Sequence, residues 1–397
     1  MTSSASSEHN GINLPVILIS LFIINEYARP IFFAKMKLVL IIEVFFLFFL
    51  ITQRGLAQNT NIEGQRKVRV LWVLLLVEMF FHIFFAKNNY WALGVFKTIL
   101  SYFLLFLMAS CFVDTKKKAN FLIMIFILTN SYCAILGIID GGLVHHNAFL
   151  EDENDFALAM NIALPITFYF AFCYNGIRRY FLIFCSFLMF LGGVYSLSRG
   201  GMVGIAVVLL LVWLKSNRKI LGLVVLTIGL VIFIYNMPQN YKSQMFSIET
   251  QGYESGTGRT RIELWKVASK VFSAYPIFGV GQGNIRWRMS EFQGHDYWKR
   301  GIGGTAVHSI YFTLLPELGL VGCVIFALLV KALYGNCKDL AASRDPDEIL
   351  FAKGIIIAFV GFFVTGAFLS VLYYPHFWIL ATLTHVMWRN RNAVDVV

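Results

Sequence analysis

Charge is scarce in this sequence. Asp, Glu, Lys and Arg make up 14% of its 397 residues, whereas 58% are hydrophobic and Phe alone occurs 39 times. A soluble domain of this size needs far more polar surface to face water, so an ordinary soluble enzyme is excluded. Nucleotide-binding signatures are lacking too: there is no Walker loop and no Rossmann glycine fingerprint on a strand–helix unit, and no inverted internal repeat is visible. An ATP-driven pump and a repeat-built transporter both lose support. The six cysteines (Cys111, Cys133, Cys173, Cys185, Cys323 and Cys337) form no C-x-x-C or Cys/His pattern and lie in apolar stretches or at their ends. Neither a disulfide framework nor a metal site is expected. The first fourteen residues are polar without a basic leader, and no A-x-A-like site follows, so no cleavable signal peptide is expected.

What is abundant is apolar sequence in long runs, such as Leu38 to Thr52 and Val68 to Ala86. About 20 apolar residues in a helix cross a hydrocarbon core of ~30 Å. Such runs predict spans at 12–33, 37–52, 68–86, 91–113, 120–139, 155–174, 179–197, 200–214, 219–236, 318–336, 349–371 and 374–388. The fold class is therefore an all-α polytopic membrane protein, with about 12 transmembrane helices and one large outer loop. It divides into an N-terminal membrane region (1–236), the loop (237–307) and a C-terminal membrane region (308–397).

The formal net charge of +11 does not point to nucleic acid, because the basic residues fall in short clusters between apolar spans. Arg54/Arg66/Lys67/Arg69, Lys116/Lys117/Lys118, Arg178/Arg179, Lys215/Arg218/Lys219, Lys338/Arg344 and Arg389/Arg391 occupy alternate loops. The positive-inside rule then puts both termini in the cytoplasm and the 237–307 loop outside. That loop runs against the bias. It carries Lys242, Arg259, Arg261, Lys266, Lys270, Arg286, Arg288, Lys299 and Arg300 against five acidic residues. Long loops tolerate such charge, but an anionic ligand explains it better.

Four motifs carry the chemistry. The first is His308-Ser309, nine residues, then Gly319-Leu320-Val321-Gly322. An imidazole at the membrane surface titrates near neutrality and can accept a hydroxyl proton; by itself, a histidine there reads as a helix-end residue. Pro316 and Glu317 lie inside the following apolar run, where a proline favours a kinked or broken helix. The second is Ser196-Leu197-Ser198-Arg199-Gly200-Gly201. Arg199 offers a planar fork for phosphate oxygens, and Gly200 and Gly201 would let backbone approach a bulky head group; an arginine at such a turn also simply snorkels to lipid phosphates. The third runs from Gly256-Thr257-Gly258-Arg259-Thr260-Arg261 through Trp265 to Pro276-Ile277-Phe278-Gly279-Val280-Gly281-Gln282-Gly283-Asn284. The fourth, Glu151-Asp152-Glu153-Asn154-Asp155, is an acidic turn expected to cap a helix through Asn154 or Asp155. Glu43, Glu78, His82 and the Glu26/Arg29 pair are expected to be structural, with Glu78 and His82 four residues apart on one helix face.

Together these motifs resemble the O-antigen ligase and Wzy-type polymerase superfamily. The first fits H-[NSQ]-x9-G-x-x-[GTY] at every fixed position, the second its S-R-G-G signature, and the third its loop arginine, Trp265 and glycine-rich stretch. The fourth is similar to a D-x-N-D-x-A helix entry, with Glu153 where proline is more usual. The family's arginine stands four residues before the tryptophan, which selects Arg261; Arg259 has the better glycine context, and the two stay open. The resemblance implies inverting glycosyl transfer at the periplasmic face of a bacterial inner membrane. The donor would be an undecaprenyl-diphosphate-linked glycan and the acceptor a sugar hydroxyl on a lipid-linked repeat unit or a lipid A core. No cofactor or metal is implied. His308 would be the base, and Arg199 with Arg261 or Arg259 would clamp the diphosphate. Ser309, Gly319, Gly322, Gly200, Gly201, Trp265 and Glu317 would support them. A polymerase of repeat units is the preferred activity and a ligase the alternative. A glycan or small-solute transporter is the rival of another class, but it would need polar residues at mid-membrane depth in several spans.

Overall fold

The structure is a computed structural model that describes residues 11–29, 37–52, 63–145, 149–216, 219–220, 257–294 and 305–394. Among these residues every regular element is a helix. The chain runs through α1 (Leu14–Tyr27), α2 (Leu38–Thr52), α3 (Glu63–Phe85), α4 (Asn89–Phe112), α5 (Lys116–Ile139), α6 (Glu153–Ala171), α7 (Ile177–Tyr195) and α8 (Arg199–Leu214). It continues with α9 (Thr257–Ala274), the short α10 (Ile285–Met289), α11 (Ile310–Ala341), α12 (Pro346–Gly366) and α13 (Pro375–Val394). Every expected span except 219–236 overlaps one of these helices. That one beyond residue 220, and residues 237–256 and 295–304 of the loop region, lie outside the described residues. Six helices are long and apolar enough to cross a membrane, and α1, α2 and α8 are shorter apolar helices.

The helices start where polar side chains satisfy the free backbone N–H groups of a first turn. Asn13, Asn88, Thr115, Asp152, Ser198 and Asp345 each accept such a bond. The acidic turn before α6 was expected to cap through Asn154 or Asp155, and the structure corrects this to Asp152. Its Oδ1 accepts from the N–H groups of Asn154 (2.8 Å) and Asp155 (3.4 Å).

α6 is the central helix. It is buried along almost its whole length and packs against α7, α8 and α12. Small residues make this possible. A Cβ on Gly204 would lie 1.9 Å from Thr365 Oγ1, and one on Gly201 would lie 2.3 Å from the Ala157 methyl. Asn161 of α6 bonds into the same contact, donating to the Gly201 carbonyl (2.9 Å) and to Thr365 Oγ1 (3.1 Å).

Two expectations are revised. The span expected at 318–336 begins earlier, at Ile310, and continues through Pro316; its break falls at Gly319 (φ 60°, ψ −165°). Glu78 and His82 share a face of α3 but do not bond to each other. The Glu78 carboxylate abuts Gly322, where a Cβ would sit 2.6 Å from Oε2, and a Cβ on Gly281 would lie 3.4 Å from that of His82.

Candidate active site

The break in α11 organises one end of the bundle. A non-helical residue inside a membrane helix leaves backbone groups without partners, each costing several kcal/mol in lipid. Here the glycine-rich stretch after α9 supplies them. Leu320 and Val321 donate their N–H groups to the carbonyls of Pro276 and Ile277, and Val280 and Gly281 donate to those of Pro316 and Glu317. The two chains touch through glycine: a Cβ on Gly319 would lie 2.4 Å from the Ile277 carbonyl oxygen, and one on Gly279 would lie 2.5 Å from that of Glu317.

Glu317 finishes the junction. Its carboxylate, 1% exposed, accepts from Gly283 N (2.8 Å), Ile285 N (3.2 Å) and the Tyr373 hydroxyl (2.7 Å). Gln282 donates to the Met79 and Ala92 carbonyls, and Asn284 exchanges bonds with the backbone of Asn88. Residues 276–285 are thereby tied to α3, α4 and α11.

His308 stands immediately before α11, half-buried, in the left-handed region at φ 51°. A non-glycine residue held there stores about 1–3 kcal/mol and needs its surroundings to hold it. Trp265 of α9 provides part of that hold. Its indole N–H donates to the Val307 carbonyl (3.1 Å), and its ring stacks on Phe312 at 5.0 Å with an interplanar angle of 8°. Ser309 is buried, and its carbonyl accepts from both the N–H and the hydroxyl of Thr313.

Arg199 is the first residue of α8, placed by a second left-handed residue, Leu197 (φ 57°), and by the Ser198 cap, whose Oγ accepts from Gly201 N at 2.9 Å. Ser198 also donates to Asn154 Oδ1 (2.6 Å), joining the start of α8 to the acidic turn. Gly200 and Gly201 lie against protein: a Cβ on Gly200 would lie 3.0 Å from that of Phe368, in the turn after α12, and one on Gly201 would meet Ala157 of α6.

Three of the expected residues come together electrostatically. The Arg261 pKa is lowered by burial and by the nearby Arg199 guanidinium, with Asp152 acting the other way. The His308 pKa falls below the usual imidazole value for similar reasons: burial first, then Arg261, again opposed by Asp152. Neither Arg199 nor Arg261 forms an ion pair among the described residues. Arg261 Nε is buried without a hydrogen-bond acceptor. Arg259, in contrast, has a half-exposed side chain that meets Glu263 at 3.2 Å, one turn on in α9. The structure thus gathers His308, Arg199 and Arg261, with Asp152 as the acid acting on His308 and Arg261 and Glu153 the acid near Arg199, and leaves Arg259 on the outer side of α9.

A region of 184–327, from α7 to the middle of α11, matches the protein-family model described as O-antigen ligase. That region is similar to the O-antigen ligase domain. The matched region contains Arg199, Arg261, Trp265, His308, Gly319 and Gly322, while Asp152, Asn154 and Tyr373 are added from outside it by the fold. No curated protein matches the chain. The domain and the apolar helices together make this a multi-pass protein of the bacterial inner membrane, an enzyme of the type that transfers lipid-linked glycans.

Proposed function

We propose that the protein transfers a glycan from undecaprenyl diphosphate to a sugar hydroxyl at the periplasmic face, with His308 as base and Arg199 and Arg261 as the diphosphate clamp. The observation that carries this reading is the pairing of two like charges. Guanidinium groups that disfavour one another, one with a buried N–H lacking an acceptor, gain most when an anion joins them.

The chemistry follows from the charges. The acceptor hydroxyl oxygen attacks the anomeric carbon as the bond from that carbon to the diphosphate oxygen breaks. The hydroxyl proton passes to the imidazole, and the diphosphate leaves with the bonding electrons. Attack opposite the leaving group inverts the anomeric centre. A lowered pKa keeps His308 unprotonated at neutral pH, ready to take the proton. Fixed cations at the leaving group stabilise charge as it develops. No metal or cofactor is needed in this scheme.

Polymerisation of lipid-linked repeat units is the preferred activity, with ligation to a lipid A core or to protein as the alternative. The in vitro product distinguishes them: a ladder on lipid diphosphate marks a polymerase, and single transfer to core a ligase. The clamp is tested with purified donor and protein normalised to its folded fraction. Arg199→Lys and Arg261→Lys should keep partial activity, having charge without the bidentate fork, and the alanine variants should lose nearly all of it. Equal specific activity for wild type and both alanine variants would refute the clamp.

A further inference from the structure

A cavity of about 640 Å³ lies beside the His308 segment. Its walls are the first turns of α4, α10, residues 306–307 and the turn before α13. Two cations line it. Lys97 is the one charged residue of α4, an exposed side chain a little over two turns into a membrane-length helix. Arg286 of α10 lies over the rings of Trp91 (5.9 Å) and Trp287 (5.7 Å). Neither has a carboxylate partner among the described residues. Glu317, the acid in the wall, is already taken up by Gly283, Ile285 and Tyr373.

Charge inside a membrane helix is costly and turns toward a cavity or a polar ligand. Lys97 lies six residues beyond Trp91 on α4, which places it about 9 Å deeper than the level of Arg286. The same wall offers flat rings (Trp91, Tyr373, Tyr374) and hydroxyls (Thr98, Thr313, Ser370). Rings and hydroxyls suit a sugar, and a cation at membrane depth suits a phosphate near a lipid anchor. Arg199 and Arg261 belong to α8 and α9, which contribute nothing to this wall. The cavity also reaches Val307, next to His308, so a ligand there presents its hydroxyl close to the base.

We propose that this cavity is the acceptor site and that the acceptor is a lipid-anchored glycan carrying phosphate, held by Lys97 and Arg286. This rests on the glycosyl-transfer reading above. The phosphate can belong to a polyprenyl diphosphate or to a phosphorylated lipid A core, and the two share the chemistry that the cavity recognises.

Binding measured without turnover separates this proposal from the reading it rests on. Native mass spectrometry of the detergent-solubilised protein with undecaprenyl diphosphate should show two bound molecules. Lys97→Gln with Arg286→Gln should remove one, and Arg199→Ala with Arg261→Ala the other. A wild type that binds one molecule of undecaprenyl diphosphate, lost only in the Arg199/Arg261 variant, and that takes up no phosphorylated core glycolipid beside it overturns the acceptor site and leaves the donor clamp standing. Loss only in the Lys97/Arg286 variant overturns the clamp instead. Two sites both insensitive to Lys97 and Arg286 also overturn the acceptor site. If the second site in wild type fills only with a phosphorylated core glycolipid, the acceptor site stands with that lipid as its occupant. In transfer assays the Lys97→Gln variant should raise the KM for the phosphorylated lipid acceptor about tenfold or more. The donor KM and the transfer to a dephosphorylated acceptor should stay unchanged. An equal effect on phosphorylated and dephosphorylated acceptors would overturn the proposal.

Discussion

The two ends of the helix bundle use charge differently. At the end where α5 and α12 begin, several cations have partners. Lys116 contacts Asp345 and Asp347, Lys118 meets Asp114 at 2.7 Å, and Trp388 donates to Asp339. Arg389 donates to the Ser110 carbonyl. At the end where α6, α8 and α11 begin, Lys87 and Arg288 meet Glu291 and Arg259 meets Glu263, but Arg199, Arg261, Lys97 and Arg286 make no ion pair among the described residues, and Leu197 and His308 are held in left-handed backbone. Matched charge closes a surface. Unmatched charge and strained backbone, held in place by packing, mark a surface arranged for something that arrives from outside the chain.

The sharpest way to break this comparison is at His308. His308→Ala should reduce transfer by about 10²–10⁴-fold without lowering the melting temperature in detergent. His308→Gly should be as inactive yet more stable than His308→Ala by about 1 kcal/mol, because glycine accepts the left-handed backbone without cost. Wild-type product yield from either variant would reduce His308 to a structural residue.

Glu317 tests whether the unmatched end depends on its internal anchors. Glu317→Ala leaves two backbone N–H groups and the Tyr373 hydroxyl without their acceptor. It should destabilise by about 2–4 kcal/mol, read as a lower denaturation midpoint. A midpoint equal to wild type would show that the 276–285 stretch is held without the Glu317 carboxylate.

The pH profile sharpens the charge argument. Burial and Arg261 lower the His308 pKa, so transfer should persist below the usual imidazole range and fail as pH drops through the lowered value. Arg261→Gln removes one lowering influence, and the acid limb of its residual activity should move to higher pH. Asp152→Asn removes the opposing influence and should move the limb lower. Shifts of the opposite sign would show that His308 is not the titrating group.

The smallest effects belong to the matched end and the outer side of α9. Lys116→Ala breaks a half-exposed contact with Asp345 and Asp347 and should cost about 1 kcal/mol or less, with transfer unchanged. Arg259→Ala should leave most of the transfer intact where Arg261→Ala does not. A greater loss at Arg259 would reverse the assignment between them.

Apolar runs of membrane length and the spacing of His308, Gly319 and Gly322 were enough to indicate a helical membrane protein and its resemblance to the O-antigen ligase family, because both are written in local order. Helix periodicity needs only neighbours, and a motif needs only residue types at set distances. The different surroundings of Arg259 and Arg261 needed α9 in place, since two residues along a helix turn to different sides. That Gly201 lies against Ala157 of α6, and Gly200 against Phe368 after α12, was visible only once the helices were packed. Asp152 became the cap of α6 and the acid acting on His308 and Arg261 through the position of a turn. The break fell at Gly319 rather than Pro316 because residues 276–281, far away in sequence, supply the partners that a broken membrane helix must find. Such pairings depend on which distant backbone groups meet, and only tertiary structure decides that.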